Sequence, residues 1–312
     1  MRSDWVAASV RARSMAQRRA GAGTCRTIAA TPGLEAALTQ LADTVYGREL
    51  KSAQTLSQAH RATRRTVLWQ LRVLAGWLPA GGTRLIRAAA AVFEADNILA
   101  LDLRLRGEAA SASSAFDLGG LATAWPRLQT AATDEELRAA LASSPWGDPG
   151  PESALRDSLT AVWLRRLTSE AAAVRPWAAA AAALIAARLV LVDGTAPAPR
   201  LASLLRPLLG TGWTAAGTGE LPTPELLRST LPPAAAQAMN GVDRTADLWR
   251  AEAALAARIE NDGFGLLRAG LPGPDVVLGA MAVLAADAWR VRAALASAAV
   301  SAGTSEVLDA VA

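Results

Sequence analysis

Apolar residues recur at helical spacing along most of this chain, and no segment shows the strict alternation that is typical of half-buried strands. The clearest helix spans residues 152–168, where one face carries Leu155, Leu159, Val162, Trp163 and Leu167. The same pattern predicts helices over residues 50–78, 83–106, 176–192, 243–269 and 275–300. Linkers rich in Gly, Pro, Ser and Thr are predicted over residues 111–122, 195–200 and 209–222. We therefore expect an all-α protein.

One short segment occurs twice, at an offset of 100 positions. Residues 41–47 read Leu-Ala-Asp-Thr-Val-Tyr-Gly, and residues 141–147 read Leu-Ala-Ser-Ser-Pro-Trp-Gly. In both copies an aromatic residue precedes a glycine. We expect Tyr46 and Trp146 to pack as anchors, and the glycine after each to cap a short helix in a left-handed conformation.

Three threonines are placed to begin the short helices of this repeat. Thr31, Thr133 and Thr223 each precede a run that contains Glu and Leu. A threonine at this position caps the helix by accepting a hydrogen bond from a backbone N–H of the first turn. Proline follows Thr31 and Thr223, and it is favoured at the first helical position.

Helices that end in arginine and glycine form a second recurring feature. Residues 94–107 and 260–270 each bring an apolar helix to an arginine and then a glycine. Residues 187–194 form a degenerate copy, with Asp193 where an arginine is expected. Such repetition is typical of chains built from related units. We expect three helical units: residues 1–122 with an N-terminal helix, residues 123–200, and residues 201–312 with a C-terminal helix.

Composition narrows the classes of protein. The net charge of +4 comes almost wholly from arginine, since Lys51 is the only lysine. An excess of arginine over lysine reflects genome composition as easily as a preference for an anionic ligand, so it does not by itself indicate a partner. Cys25 is the only cysteine, so a disulfide framework and a cysteine metal cluster are excluded, and a reducing cytoplasm is favoured. We expect no secretory signal. The apolar runs 177–187 and 276–286 are shorter than the ~20 residues that span a bilayer, which predicts buried or interfacial helices of a soluble protein.

Catalytic chemistry finds little support in the sequence. His60 is the only histidine and has no nearby carboxylate or cysteine in sequence, so a solvated surface residue is expected. No Ser-His-Asp order, phosphate-binding glycine loop or metal-ligand spacing is visible, and Asp43, Asp96 and Asp102 form no paired acidic cluster. We expect a non-enzymatic protein with no catalytic, cofactor-binding or metal-binding residues.

Four stretches together resemble the C/d family of V-type ATPase proteins, which form the central-stalk socket of the rotor. They are residues 8–15, an Ala-, Arg- and Met-containing opening helix; residues 38–47, a Leu-x-x-Leu-x-x-Thr-x-Tyr-Gly element; residues 96–107, a helix that ends in Arg-Gly; and residues 252–270, a late helix with a similar end. Gly263 and Gly265 depart from the family pattern, and each is expected to cost up to about 1 kcal/mol in a helix interior.

The resemblance implies a specific architecture and role. Members of this family are funnels of three similar helical domains around a pseudo-threefold axis. They sit on the cytoplasmic face of the membrane rotor ring of a V/A-type rotary ATPase, and their open end receives the central-stalk shaft. The family implies a peripheral subunit that passes torque between shaft and ring during proton or sodium transport and catalyses nothing itself.

Candidate partner-binding residues lie near the Arg-Gly helix ends. Arg104, Arg106 and Arg268 are placed either to offset the helix carbonyl end or to bind acidic groups of the shaft or ring. Asn97 and Asn261 are polar in apolar helices, and each either satisfies a neighbouring backbone as a buried amide or contacts a partner.

A second class of function stays open at this point. Residues 61–65 and 11–19 are rich in arginine and could meet phosphates, which would suit a helical nucleic-acid-binding or regulatory protein. Most arginines are nevertheless spread among acidic residues, and no helix-turn-helix pattern covers them. The rotor subunit is therefore the favoured expectation, with no nucleic acid as partner.

Overall fold

The predicted all-α class is confirmed. A computed structural model describes residues 2–108, 114–151, 154–210, 213, 223–268, 270–303 and 308, and among these residues every regular element is helical. Parts of the predicted linkers 111–122 and 209–222 lie outside the described residues, as do Glu152 and Ala269. The α-helices are α1 Val6–Gln17, α2 Gly21–Ala29, α3 Leu34–Gln40, α4 Gly47–Leu50, α5 Leu56–Ala75, α6 Thr83–Leu105, α7 Trp125–Leu128, α8 Asp134–Ala142, α9 Leu155–Glu170, α10 Arg175–Ala187, α11 Pro199–Leu209, α12 Pro224–Thr230, α13 Pro233–Ala236, α14 Leu248–Leu267 and α15 Pro274–Ala299.

Two of the three predicted threonine caps are confirmed. Thr133 accepts a hydrogen bond from the N–H of Glu136, and Thr223 accepts one from the N–H of Leu226, both at 3.2 Å. The prediction for Thr31 is wrong. The Thr31 hydroxyl donates to the Thr27 carbonyl at the end of α2, and α3 begins only after Gly33.

The predicted helix over residues 50–78 is shorter in the structure and has a well-defined start. Thr55 accepts from the N–H of Gln58 at 3.2 Å, and the Gln58 side chain accepts from the N–H of Thr55 at 3.2 Å. This reciprocal pair is a capping box, and it begins α5 at Leu56.

The described chain divides into two compact units. Unit 1 comprises residues Met1–Thr83 and Glu252–Ala312, and unit 2 comprises Arg84–Ala251. In unit 1, α15 is buried on most sides and packs against α1, α2, α3 and α5. The expected division into three units about a pseudo-threefold axis stays a prediction.

Two glycines allow α14 and α15 to cross closely within unit 1. A Cβ added to Gly279 would lie 2.6 Å from the carbonyl oxygen of Gly263, and a Cβ added to Gly263 would lie 3.0 Å from the carbonyl oxygen of Gly279. Gly263 therefore has a packing reason that offsets its poor helix propensity. A Cβ added to Gly265 would have nothing within 4 Å, and nothing in the structure explains this glycine.

Unit 2 is organised around α10, which packs against α9, α11 and α13. A 3-10 turn precedes α10 and a π-helical turn, Arg188–Val192, follows it. The resulting helical stretch Ala172–Val192 has 21 residues and is long and apolar enough to cross a membrane, although 56% of its most apolar window is buried. The apolar run 177–187 lies within this longer helical stretch, and the burial makes the stretch weak evidence for a membrane helix.

Candidate functional site

The two copies of the repeated segment have the same local hydrogen bonds. In unit 1 the Thr44 hydroxyl donates to the Leu41 carbonyl at 2.7 Å and accepts from the N–H of Tyr46 at 3.3 Å. In unit 2 the Ser144 hydroxyl donates to the carbonyl of residue 141 at 2.7 Å and accepts from the N–H of Trp146 at 3.1 Å. The sequence repeat is therefore also a repeat of backbone structure.

The aromatic residues of both copies are buried, which confirms that they pack as anchors. Tyr46 is 0% exposed and Trp146 is 2% exposed. The two glycines that follow serve different purposes. Gly147 has a φ of +73°, as predicted, whereas Gly47 has no positive φ and starts α4. A Cβ on Gly47 would lie 1.9 Å from the carbonyl oxygen of Ala42, so close backbone approach requires this glycine.

In each unit a buried carboxylate from a long helix binds backbone amides that precede the repeated segment. Asp287 of α15 accepts from the N–H of Ala20 at 3.0 Å and of Gly21 at 2.7 Å, at the start of α2. Glu94 of α6 accepts from the N–H groups of residues 123–125 at 2.5–3.0 Å, at the start of α7. The similarity between the two units thus extends beyond the seven matched positions.

Asp287 also accepts a hydrogen bond from the Tyr46 hydroxyl at 2.8 Å. Burial and then the negative charge of Asp287 raise the pKa of Tyr46 well above 10. Burial and then Asp287 raise the pKa of the Cys25 thiol from 9.0 to about 12. Arg290 and Glu260 form a buried ion pair in the same unit. The protonated, buried thiol is a poor nucleophile, so we assign this cluster to the stability of unit 1.

The Arg-Gly end of α6 is a Schellman cap. Gly107 has a φ of +73°, its N–H donates to Arg104 at 3.1 Å, and the N–H of Glu108 donates to Leu103 at 2.9 Å. Arg106 pairs with Asp102 at 2.8 Å and with Glu108 at 2.8 Å. Arg104 is exposed at this helix end.

The other two Arg-Gly helix ends do not follow their similarity in sequence to the first. Gly194, in the degenerate copy, is left-handed with a φ of +63°, whereas Gly270 of the clearer copy is not left-handed. Asp193 pairs with Arg188 at 2.6 Å, and the same guanidinium reaches Asp157 at 2.5 Å. Arg268 is exposed after the end of α14.

The two candidate asparagines have different environments. Asn97 is 1% exposed, donates to the carbonyl of Phe116 at 2.9 Å and accepts from the N–H of Phe116 at 2.7 Å. The interpretation as a buried amide that satisfies a neighbouring backbone is confirmed for Asn97. For Asn261 that interpretation is wrong, because the residue is exposed on α14. Partner contacts by these residues and by the three arginines stay predictions.

His60 is half-buried, so the expectation of a solvated surface histidine is wrong. Its Nε2 lies 3.0 Å from the carbonyl oxygen of Arg292, which is distant in sequence. Burial lowers the pKa of His60 below its ordinary value. In the described part of the chain, no group of three or more His, Cys, Asp or Glu residues could hold a metal ion.

An arginine-lined pocket of about 160 Å³ lies within unit 1 between α1, α4 and α5. The residues that line this pocket are Arg11, Met15, Arg18, Val45, Arg48, Glu49, Thr66, Trp69 and Gln70. The three arginines outnumber the single carboxylate, Glu49, which already pairs with Arg65 at 3.0 Å. The pocket therefore favours an anionic ligand.

Buried polar atoms in this lining have no partner among the described residues. Gln70 is 2% exposed, and its Oε1 accepts no hydrogen bond there. The Nε of Arg11 is also buried and donates to no described residue. Trp69, by contrast, is 45% exposed and presents a flat apolar surface at the pocket.

Sequence reasoning did not find this pocket. Arg11 and Arg18 lie within the arginine-rich segment 11–19, but their partners come from helices around residues 48 and 69. The one sequence signal was the helical spacing of Thr66 and Gln70, which places two polar residues on the same face of α5.

No known protein family and no curated protein matches the chain in sequence comparisons.

Proposed function

We propose that this protein is a non-catalytic peripheral subunit of a V/A-type rotary ATPase. In this proposal it couples the central shaft to the membrane rotor ring and transmits torque during proton or sodium transport. The four sequence stretches that resemble the V-type ATPase C/d family motivate the proposal, and their order along the chain agrees with that family.

The observation that carries the proposal is the repeated element with its matching hydrogen bonds. The hydroxyls of Thr44 and Ser144 make equivalent bonds, and the carboxylates of Asp287 and Glu94 bind the amides that precede each copy. A torque-transmitting funnel made of similar helical domains needs such a recurring element, whereas an isolated helical bundle does not. The all-α fold is a second point of support.

The exposed arginines supply a chemically suitable contact surface. Arg104 and Arg268 are both exposed near helix ends, and an arginine fork binds carboxylates through two parallel hydrogen bonds. Arg106 is already engaged by Asp102 and Glu108. We therefore expect Arg104 and Arg268 to contribute more to partner binding than Arg106.

Affinity capture from the native membrane tests the proposal. A tagged copy replaces the native gene, membranes are solubilised in a mild detergent, and captured proteins are quantified by mass spectrometry. We expect enrichment of ATPase stalk and ring subunits over a tag-only control. Recovery of no stalk or ring subunit would refute the proposal, and a salt-dependent shift of duplex DNA would then favour the nucleic-acid alternative.

Charge reversal tests the arginine contacts. Arg104→Glu and Arg268→Glu should lower the recovery of rotor subunits; the loss is about 2–5 kcal/mol of binding where the partner buries a hydrogen-bonded charge pair, and is smaller at the rim of an interface. The matched control is Arg206→Glu, since Arg206 is also an exposed arginine near a helix end, in the last turn of α11. An equal loss with the control would mean that helix-end electrostatics, rather than partner contact, explains the effect.

A further inference from the structure

We propose that the arginine-lined pocket of unit 1 binds a phosphate group. That group would lie among the side chains of Arg11, Arg18 and Arg48, and the rest of the ligand would stay outside the pocket. A phospholipid headgroup and a small soluble phosphate share this chemistry, and binding experiments separate the two sources. The inference rests on contacts within unit 1 and does not depend on the rotor proposal.

The arginines of the pocket carry positive charge that no described residue compensates. In the part of the chain that the structure describes, no carboxylate forms an ion pair with Arg11, Arg18 or Arg48. The one carboxylate of the lining, that of Glu49, already pairs with Arg65 at 3.0 Å. Like charges that surround one space repel each other, and a multivalent anion placed between them relieves that repulsion.

The charge of the pocket favours a phosphate group over a carboxylate. A carboxylate carries a single negative charge, whereas a phosphate monoester carries about −1.5 to −2 charges at pH 7 and has three strong acceptor oxygens. A guanidinium group binds such oxygens through paired hydrogen bonds. A phosphate group therefore compensates more of the charge of three arginines than one carboxylate does.

The pocket lies in the basic segment of an otherwise slightly acidic chain. Residues 1–83 contain twelve arginine and lysine side chains but only four aspartates and glutamates. Residues 84–312 contain twenty basic and twenty-four acidic side chains. All lining residues belong to the first segment. Clustered charge of one sign raises the local concentration of ions of the opposite sign, so the segment should attract anions to the pocket.

Pocket size limits what can enter. A volume of about 160 Å³ is smaller than the ~300–1,000 Å³ that is usual for drug-sized ligands and cofactors. The pocket would therefore take one charged group and not a whole nucleotide. Trp69 lines the pocket and is 45% exposed, so its indole offers an apolar surface to the part of the ligand that stays outside.

Isothermal titration calorimetry with the full chain tests a soluble source. The probes are inorganic phosphate and glycerol 3-phosphate, and acetate at the same ionic strength is the carboxylate control. If the ligand is soluble, we expect a phosphate probe to bind at least about tenfold more tightly than acetate, which corresponds to about 1.4 kcal/mol.

Vesicle sedimentation tests a lipid source. Phosphatidylcholine vesicles contain either phosphatidic acid or, at equal surface charge, a fatty acid that presents a carboxylate. A preference of about tenfold or more for phosphatidic acid would identify a lipid headgroup as the ligand. Tight binding of a soluble phosphate without this preference would identify a soluble ligand. Either result supports a phosphate site.

Matched variants locate the site. Arg48→Glu should weaken binding of the preferred phosphate probe by about tenfold or more, because it removes charge-assisted hydrogen bonds. Arg26→Glu changes the net charge equally at an exposed arginine of α2 outside the lining, and it should have little effect. Glu49→Gln removes the lining carboxylate and should strengthen binding by about two- to fivefold, a gain that misfolding cannot produce.

Three results would overturn the inference. The first is that no phosphate probe binds at millimolar concentration, even if single-stranded DNA does. The second is equal affinity for phosphate and carboxylate probes in both experiments, which would indicate a surface that attracts any anion. The third is that Arg48→Glu weakens binding no more than Arg26→Glu. Circular dichroism of each variant checks that the helices are intact.

Discussion

We expect Gly47→Ala to destabilise unit 1 strongly, because the new Cβ has no room. It would lie 1.9 Å from the carbonyl oxygen, 2.5 Å from the carbonyl carbon and 2.8 Å from the Cα of Ala42. All three are backbone atoms, so no side-chain rotation relieves the overlap. Overpacking of a core usually costs about 1–3 kcal/mol, and a clash with backbone should reach at least the upper end of that range.

The equivalent change in the second copy should cost less and for a different reason. Gly147→Ala places alanine at a φ of +73°, where the left-handed conformation costs about 1–2 kcal/mol. Its Cβ would meet only the Nη2 of Arg200 at 3.0 Å, at the flexible end of a side chain. Gly23→Ala is the control, since nothing lies within 4 Å of that Cβ and helix propensity should improve by up to about 1 kcal/mol.

Hydrogen exchange with mass spectrometry measures these effects locally. Peptides that cover α3 to α5 should lose protection in Gly47→Ala, and peptides that cover α8 and α9 should lose less in Gly147→Ala. Urea unfolding gives the accompanying change in global stability. If Gly47→Ala exchanged no faster than the Gly23→Ala control, the close-approach argument for Gly47 would be refuted.

Three further predictions concern buried polar groups. Tyr46→Phe removes one hydrogen bond to the buried Asp287 carboxylate and should cost about 1.5–3 kcal/mol in urea unfolding; an unchanged midpoint would contradict it. Because the folded-state pKa of Cys25 is raised from 9.0 to about 12, its contribution to stability is complete below pH 9 and is lost as pH rises, by about 1.4 kcal/mol per pH unit. Cys25→Ala should flatten the decline of stability above pH 9, and the native thiol should resist thiol reagents at pH 8; rapid labelling would argue against its burial. Glu94→Gln should weaken the cap of α7 by about 1–2 kcal/mol, seen as faster amide exchange over residues 123–128, and unchanged exchange would exclude a capping role.

Local signals in the sequence predicted much of the helical structure. The caps at Thr133 and Thr223 follow from residue type and position alone, and the structure has both. Thr55 and Gln58 carry an equally local capping-box signal, which would have placed the start of α5 correctly. Thr31 misled the prediction because the chain continues from α2 through Thr31 to a cap at Gly33.

Features made by distant residues could not be predicted in this way. The half-buried His60 has its Nε2 3.0 Å from the carbonyl oxygen of Arg292, and Gly47 is required because the chain turns back onto Ala42. The arginine-lined pocket combines three helices whose order in space is not encoded in any one segment. Asn97 and Asn261 look alike in sequence, but Asn97 is buried and binds the backbone of Phe116, 19 residues away, whereas Asn261 is exposed.

Unit 1 combines two segments that are far apart in sequence, residues 1–83 and 252–312, and this has a consequence for its folding during synthesis. Residues 1–83 emerge from the ribosome before their core partner α15, which begins only at Pro274, and Asp287 must be made before it can bind the amides at the start of α2. Unit 2 is continuous in sequence and can fold as it is made. The helices of residues 1–83 would therefore keep exposed apolar surface until α15 has been synthesised, and this long-range closure should slow the folding of unit 1.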